Sequence, residues 1–325
     1  MTSNPSDTRP LRGAHERNAS APGSTPPPRR GLPEPLSRDE IDAFARPALQ
    51  EDRGGGDLTS MTAVPEKARA RATLLAKSSG VLAGVGVFAR VFELVDPGVG
   101  VAIAKADGAR FQKGDVIATV EGSARALLTA ERTALNFVQR MSGTATLTAK
   151  YVELARAGGG ERVRVLDTRK TTPNLRKLEK YAVRCGGGEN HRFGLFDEVM
   201  VKENHIELAG RPIVEVLGDL RRAVGPRVRI TSEARDEQEA LACVDGGADV
   251  VLLDNMSVDE LARLCPILRE RARARGRDVE LEASGGIDLA TARAIAATGV
   301  DRLSVGALTH SAPAMDLSLE LEPLA

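Results

Sequence analysis

The sequence predicts an α/β protein whose second half is a run of parallel βα units sharing one rim. Three observations predict it. Apolar runs recur at residues 163–166, 199–201, 228–230, 250–253, 279–283 and 303–305. Helix-compatible segments such as 236–245, 258–274 and 288–297 separate most of them, which is the alternation of a parallel sheet with crossover helices. Each run then hands over to a polar or very small residue: Asp167, Lys202, Glu233, Asp254, Ser284 and Gly306. A (β/α) barrel supplies its chemistry from the C-terminal ends of its strands. Six candidate strands presenting six such residues to one rim is therefore stronger than any single motif.

Taken in order, residues 1–34 carry seven of the 17 prolines, with Ser, Gly and Arg between them. Little there could fill a core, so the segment reads as a disordered tail, or as an Arg-bearing targeting or interaction signal. Structure should begin near Leu36. Ser37 and Glu40 have the spacing of a helix capping box, and Ile41, Phe44 and Ala45 follow at helical spacing. Residues 70–83 suit a strand and a turn, 84–95 a short helix, and 100–121 strands joined by Gly-containing turns. A long helical pattern sets in at Leu127. Leu128, Leu135, Val138 and Met141 are expected to face a core, and Arg132, Asn136 and Arg140, four apart, to stack along another face. Six strands are clear beyond residue 162, and a seventh is expected near 181–185.

At 325 residues, two domains with a sizeable core are expected. Lys plus Arg number 45 and Asp plus Glu 45, so the net charge of zero gives no global support for nucleic-acid or membrane-surface binding. No apolar stretch approaches the ~20 residues of a membrane span, and no secretory signal opens the chain. Cys185, Cys243 and Cys265 are odd in number and widely spaced, which reads as three reduced thiols in a cytoplasmic protein.

The rim residues suggest an anion site. Ser284, Gly285 and Gly286 follow one strand, and Val305, Gly306 and Ala307 follow the next. Small residues let backbone N–H groups approach a phosphate, and barrels often bind phosphate at their last two βα loops. Arg169, Lys170, Arg192 and Lys202 come from three separate segments. An Arg fork suits a carboxylate or phosphate, and Lys supplies a compact charge. Glu233 and Asp254 end successive strands and suit a Mg²⁺-bound diphosphate or sugar hydroxyls, or else salt bridges to the nearby cations. His191 and His310 are candidate donors, His191 because it lies between Asn190 and Arg192 in a glycine-rich loop. The pocket wants carboxylates at one end, a phosphate at the other and a metal-chelated group between.

These residues resemble the quinolinate phosphoribosyltransferase family over about residues 36–325. The resemblance is carried by ERTALNFVQRMSG, DTRKTTPNLRKLEKYAV, GGGENHRFGLFDEVMVKENHI, the SEA and LLDN strand ends, EASGGI and SVGALTHSAPAMDLSL. It implies an N-terminal α/β sandwich domain over 35–140, with 311–325 returning to it, and an open seven-stranded (β/α) barrel over 141–310. It implies conversion of quinolinate and phosphoribosyl diphosphate to nicotinate mononucleotide, diphosphate and CO₂ in NAD synthesis, with Mg²⁺ as cofactor. Carried over by motif, Arg132 would reach the neighbouring subunit's site in a homodimer. Thr168, Arg169, Lys170, His191, Arg192 and Lys202 would line the quinolinate end. Glu233 and Asp254 would face the ribose and the metal-bound diphosphate. Lys170, Lys202, Glu233 and Asp254 would be catalytic. Ser284, Gly285, Gly286, Val305, Gly306 and Ala307 would cradle phosphate, with His310 nearby. The family commonly has Asp-Asn-His after the lysine, where this chain has Glu203, Asn204 and His205. A related phosphoribosyltransferase acting on nicotinate without decarboxylation, and a catalytically silent anion-binding regulator, are the rival readings.

Overall fold

The computed structural model describes residues 31–325, so nearly all of the proline-rich 1–34 segment lies outside the described residues. Helix α1 (Arg38–Arg53) opens on the expected capping box: Ser37 Oγ accepts from the Glu40 N–H at 3.3 Å, and Glu40 Oε2 accepts from the Ser37 N–H at 2.8 Å. After α2 (Leu58–Ala63) come β1 (Arg69–Ala76), β2 (Gly80–Val81), α3 (Val85–Val95), β3 (Gly100–Ile103), β4 (Arg110–Phe111) and β5 (Val116–Ser123). Strand β1 alternates exposed or partly exposed with buried residues, as a sheet with one covered face requires.

Helix α4 (Ala124–Gly159) runs 36 residues without a break. The anticipated boundary at residue 140 falls inside it. It packs on α3, β5 and β2 in the first half of the molecule, and on α5, β6 and α10 in the second. Its inward face carries Leu127, Leu135, Val138 and Met141, whereas Leu128 is 38% exposed and is not a core residue. Gly143 sits where the helix meets residues 313–314 so closely that any Cβ would collide with the Pro313 carbonyl.

The second half follows as β6 (Arg164–Leu166), α5 (Arg176–Cys185), β7 (Val199–Val201), α6 (Glu203–Ala209), α7 (Ile213–Val224), β8 (Ile230–Ala234), α8 (Glu237–Gly246), β9 (Val250–Asp254), α9 (Val258–Arg273), β10 (Glu280–Ser284), α10 (Ala292–Ala297), β11 (Arg302–Ser304) and α11 (Ala307–His310). Its strands pair in parallel in the order β6-β11-β10-β9-β8-β7. The seventh strand anticipated at 181–185 is instead the C-terminal end of α5, where Lys180 and Val183 lie on a buried helical face. A single parallel bridge between Leu166 and Glu189 extends the sheet beyond β6. No pairing joins Glu189 to β7 among the described residues, so the barrel is open there. Strand β12 (Leu317–Leu324) returns to the first half and pairs antiparallel with β1, giving a sheet ordered β12-β1-β5-β3.

Register explains the barrel's inside. In a parallel ladder, residues side by side point to the same face. Val165, Val251, Leu253, Leu281, Ala283 and Leu303 belong to the apolar cluster under the helices. The alternate positions are polar: Glu233, Glu282, Arg302 and Arg164 lie in one layer with Leu252, and Asp254, Ser284 and Ser304 in the next layer with Leu166. Glu282 is fully buried. Its Oε2 accepts from Arg302 Nε (2.9 Å) and Nη2 (2.5 Å), and its Oε1 from Ser304 Oγ. Burial pushes the Glu282 carboxyl up, but Arg302, His191 and Ser304 together hold it down to about 2.

Because that value is depressed, the stabilisation is complete above the ordinary carboxyl value of 4.5 and is lost as pH falls toward about 2. Glu282→Gln should therefore flatten the acid limb of stability. It should also cost about 3–5 kcal/mol near neutrality, since Arg302 is left buried without a counter-charge. Denaturant unfolding of both proteins across that pH range measures both effects. An unchanged acid limb would mean that the pair contributes nothing.

Candidate active site

Strand β6 ends at Leu166 and delivers residues 167–171 to the rim. Asp167 is buried and accepts from Lys180 Nζ and from the His191 N–H at 2.9 Å. Burial pushes its carboxyl up to about 6 against the pull of Lys180. Thr168 Oγ1 accepts from the Lys170 N–H at 3.0 Å, turning the loop at once. Arg169 and Lys170 follow, partly exposed and exposed.

The glycine-rich loop supplies the facing cation. Arg192 is mostly buried, and burial and then the charge of Arg169 both lower its pKa, which puts the two guanidiniums within each other's field. The Arg169 Nε is buried and has no hydrogen-bond partner. His191 is turned inward. Its Nδ1 accepts from the Arg192 N–H at 2.7 Å, so the ring proton belongs on Nε2, which lies 3.3 Å from Glu282 Oε1 without hydrogen-bond geometry. Of five buried side-chain polar atoms left unpaired among the described residues, two are therefore donors of this one site.

A second group gathers across the rim. Lys202 Nζ lies 2.5 Å from Glu233 Oε2. Burial and then the Glu233 charge raise the Asp254 carboxyl, and the Asn255 amide, Lys202 and Lys170 oppose them. Lys170, Lys202 and Glu233 thus all act on Asp254. Glu233 lies within β8 rather than beyond it, because that strand starts at Ile230, where the apolar run 228–230 ends. His205 was anticipated only as part of a motif. Its Nδ1 accepts from the Lys202 N–H at 2.9 Å and fixes the backbone from which that lysine projects.

The small residues occupy the remaining arc. Ser284 sits beside Asp254 on one side and Ser304 on the other. Gly285 has φ +89°, and a Cβ there would strike the Asn255 amide. Gly286 follows, open to solvent. The Val305 N–H is bound to the Leu166 carbonyl at 2.9 Å, leaving Gly306 and Ala307 to form the turn. A Cβ on Gly306 would lie 3.0 Å from His310 Nε2 and 3.2 Å from Lys170 Cδ, so these three residues meet. Thr309 Oγ1, absent from the anticipated set, ties the turn to the Lys170 carbonyl at 2.7 Å. Arg132 is exposed on α4, on the face that also carries Asn136 and Arg140.

Glu282, Arg302, Lys180 and Arg176 escaped the sequence reading. Each sits inside a strand or helix, where a charge ordinarily marks a solvent-facing position.

Comparison with known proteins identifies the family. Residues 57–142 match the quinolinate phosphoribosyl transferase N-terminal domain and residues 144–320 the C-terminal domain of the same name. The chain is 43% identical over 271 residues to a probable nicotinate-nucleotide pyrophosphorylase [carboxylating] of Bacillus subtilis, covering 83% of this chain and 90% of that one. It is 41% identical over 292 residues to the Mycobacterium leprae nicotinate-nucleotide pyrophosphorylase [carboxylating], covering 88% and 100%. The crystal structure of NadC from Streptococcus pyogenes superposes with a TM-score of 0.83 at 39% identity, covering 90% of this chain and 100% of that one. With matched domains spanning both halves and relatives this similar along most of its length, the chain belongs to the quinolinate phosphoribosyltransferase family.

Proposed function

We propose that this chain is the carboxylating phosphoribosyltransferase that converts quinolinate and phosphoribosyl diphosphate to nicotinate mononucleotide, diphosphate and CO₂ for NAD synthesis. The relatives' names describe this activity. The observation that carries it to particular residues is the Arg169–Arg192 pair with its unbonded, buried Nε. Two guanidiniums held together suit the adjacent carboxylates of quinolinate, each able to take a two-pronged, charge-assisted bond.

On this reading Thr168, Arg169, His191 and Arg192 orient the pyridine, and Lys202 reaches toward it from the opposite strand end. Lys170, expected at the quinolinate end, instead serves the phosphate side on this reading, because it crosses Gly306 beside His310. Ser284, Gly285, Gly286, Val305 and Ala307 complete the phosphate cradle. The C1–diphosphate bond breaks with oxocarbenium character at the ribose, and the pyridine nitrogen attacks C1. The new ring cation then stabilises the carbanion left at C2 as CO₂ departs, and that carbon takes a proton. The residues contribute position and field.

The Glu233 charge raises the proton affinity of Asp254, a strain that a divalent cation would relieve. Two carboxylates alone make no cage, and no group of three or more His, Cys, Asp or Glu suited to a metal occurs among the described residues. They fit Mg²⁺ shared with substrate oxygens, which would neutralise the departing diphosphate. A cytoplasmic setting belongs to the same reading. It is supported by three unpaired, buried cysteines, and no helix of the described residues is long and apolar enough to cross a membrane.

The purified protein should release CO₂ from quinolinate in the presence of phosphoribosyl diphosphate and Mg²⁺ and should release none with nicotinate; turnover of nicotinate alone would favour the non-decarboxylating reading. Arg169→Ala should lower kcat/KM for quinolinate by about 1.5–3 kcal/mol, roughly ten- to a hundredfold, through loss of charge-assisted bonds. Unaltered kinetics would move the carboxylate pocket elsewhere. The homodimer reading, in which Arg132 completes the neighbour's site, is tested by mixing two variants. Arg132→Ala and Lys202→Ala should each be nearly inactive alone. Together they should regain activity through hybrid dimers that carry one intact site. A fully active Arg132→Ala protein would remove Arg132 from the site.

A further inference from the structure

We propose that Arg176 and Lys180 are positioning residues, a two-rung clamp on α5 that locks the loop carrying Arg169 to the loop carrying Arg192. The proposal rests on the reading of that arginine pair as the quinolinate end. Four residues apart, the two side chains leave the same face of the helix. Each one bridges the same two loops.

The inner rung is Lys180. Its Nζ donates to the Asp167 carboxylate, two residues before Arg169, and to the His191 carbonyl at 2.9 Å, one residue before Arg192. Asp167 in turn accepts from the His191 N–H at 2.9 Å, so both peptide groups of His191 are held. The Asn190 amide, turned so that its nitrogen faces acceptors, donates to Asp167 Oδ2 at 2.6 Å and to the Lys180 carbonyl at 3.0 Å. The outer rung is Arg176. Its Nε donates to Thr171 Oγ1 at 3.0 Å, its Nη2 to the Arg169 carbonyl at 3.3 Å and its Nη1 to the Phe193 carbonyl at 2.9 Å. The same guanidinium lies 6.0 Å from the centre of the Phe193 ring.

Every tie point lies within two residues of Arg169 or Arg192, and the ties reach those arginines through their backbones. The clamp therefore spaces the guanidiniums without occupying their donors, of which, among the described residues, Arg192 Nη1 alone is bound, to the Glu198 carbonyl at 3.4 Å. Like charges push the two loops apart, and a clamp that resists this sets the gap before a dianion arrives. A misplacement of about 1 Å at such a pair is enough for a hundredfold loss.

The test uses the full-length protein in steady-state assays varying each substrate, with thermal unfolding alongside. Arg176 is only half buried, so Arg176→Met should stay folded. It should raise KM for quinolinate on the order of tenfold or more, while KM for phosphoribosyl diphosphate stays within about twofold. Lys180→Met alone would strand Asp167 in the interior, so the inner rung is removed as the double variant Asp167→Asn/Lys180→Met. That variant should show the same split. Parallel changes in both KM values, or an unchanged quinolinate KM in folded Arg176→Met, would overturn the clamp. Arg169→Ala in the same assay separates the two ideas. Lost quinolinate affinity there but not in Arg176→Met refutes the clamp alone, and no loss in either refutes the carboxylate pocket with it.

Discussion

Two guanidinium groups repel each other, and the site depends on their being held together. Arg192 is less easily kept charged because it is buried and because Arg169 stands beside it. Arg169 keeps a buried donor unbonded. Both features cost stability in the free protein, and on the proposed reading both become favourable when a ligand with two adjacent negative groups enters. Stored unfavourable energy of this kind is tolerated at functional sites because the surrounding fold over-determines the geometry. Here that surrounding is Asp167, the Lys180 ammonium and the start of α5.

The barrel beneath is matched to this rim. Barrel interiors of this class are ordinarily filled by layers of branched apolar side chains. Here the layer that holds Glu233 also holds Glu282, Arg302 and Arg164, and the apolar side chains face the helices instead. Arg164 and Arg302 both reach Glu280 as well, at 2.5 Å and 3.4 Å. A buried ion pair is weak evidence for net stability, because desolvation offsets most of its attraction. What it provides here is a charged layer: Glu233, which meets Lys202 at the rim, lies level with Glu282 and Arg302.

Much of the rim was legible in the sequence. Asp167, Lys202, Asp254, Ser284 and Gly306 stand where an apolar run stops, and a sharp change from apolar to polar marks a strand end whichever way the strand faces. The buried charged layer was not legible. Strands of three to five residues, such as Arg302–Ser304, are too short for alternation to separate an inner from an outer face. Glu282 in VELEAS therefore reads as an ordinary strand-edge charge. Segment 181–185 reads as a strand for the same reason, since a short apolar stretch fits a strand as well as one buried face of α5. Leu127 and Leu128 are adjacent leucines in a helix, and only the packing of α4 decides that the first is buried. Lys180 and Arg176 stand in a helix rich in charges, and only the fold reveals that these two face inward across two loops.

Strand β12 has a consequence for how the molecule is made. It pairs with β1 from Arg69 opposite Leu324 to Ala76 opposite Leu317, across about 240 residues of intervening chain, and lies downstream of every barrel element. A ribosome adding about 5–20 residues per second emits β1 many seconds before its partner exists. During that interval the unpaired edge of β1 is open to strangers, and the earlier half of the chain must wait for the later half before its own sheet is complete.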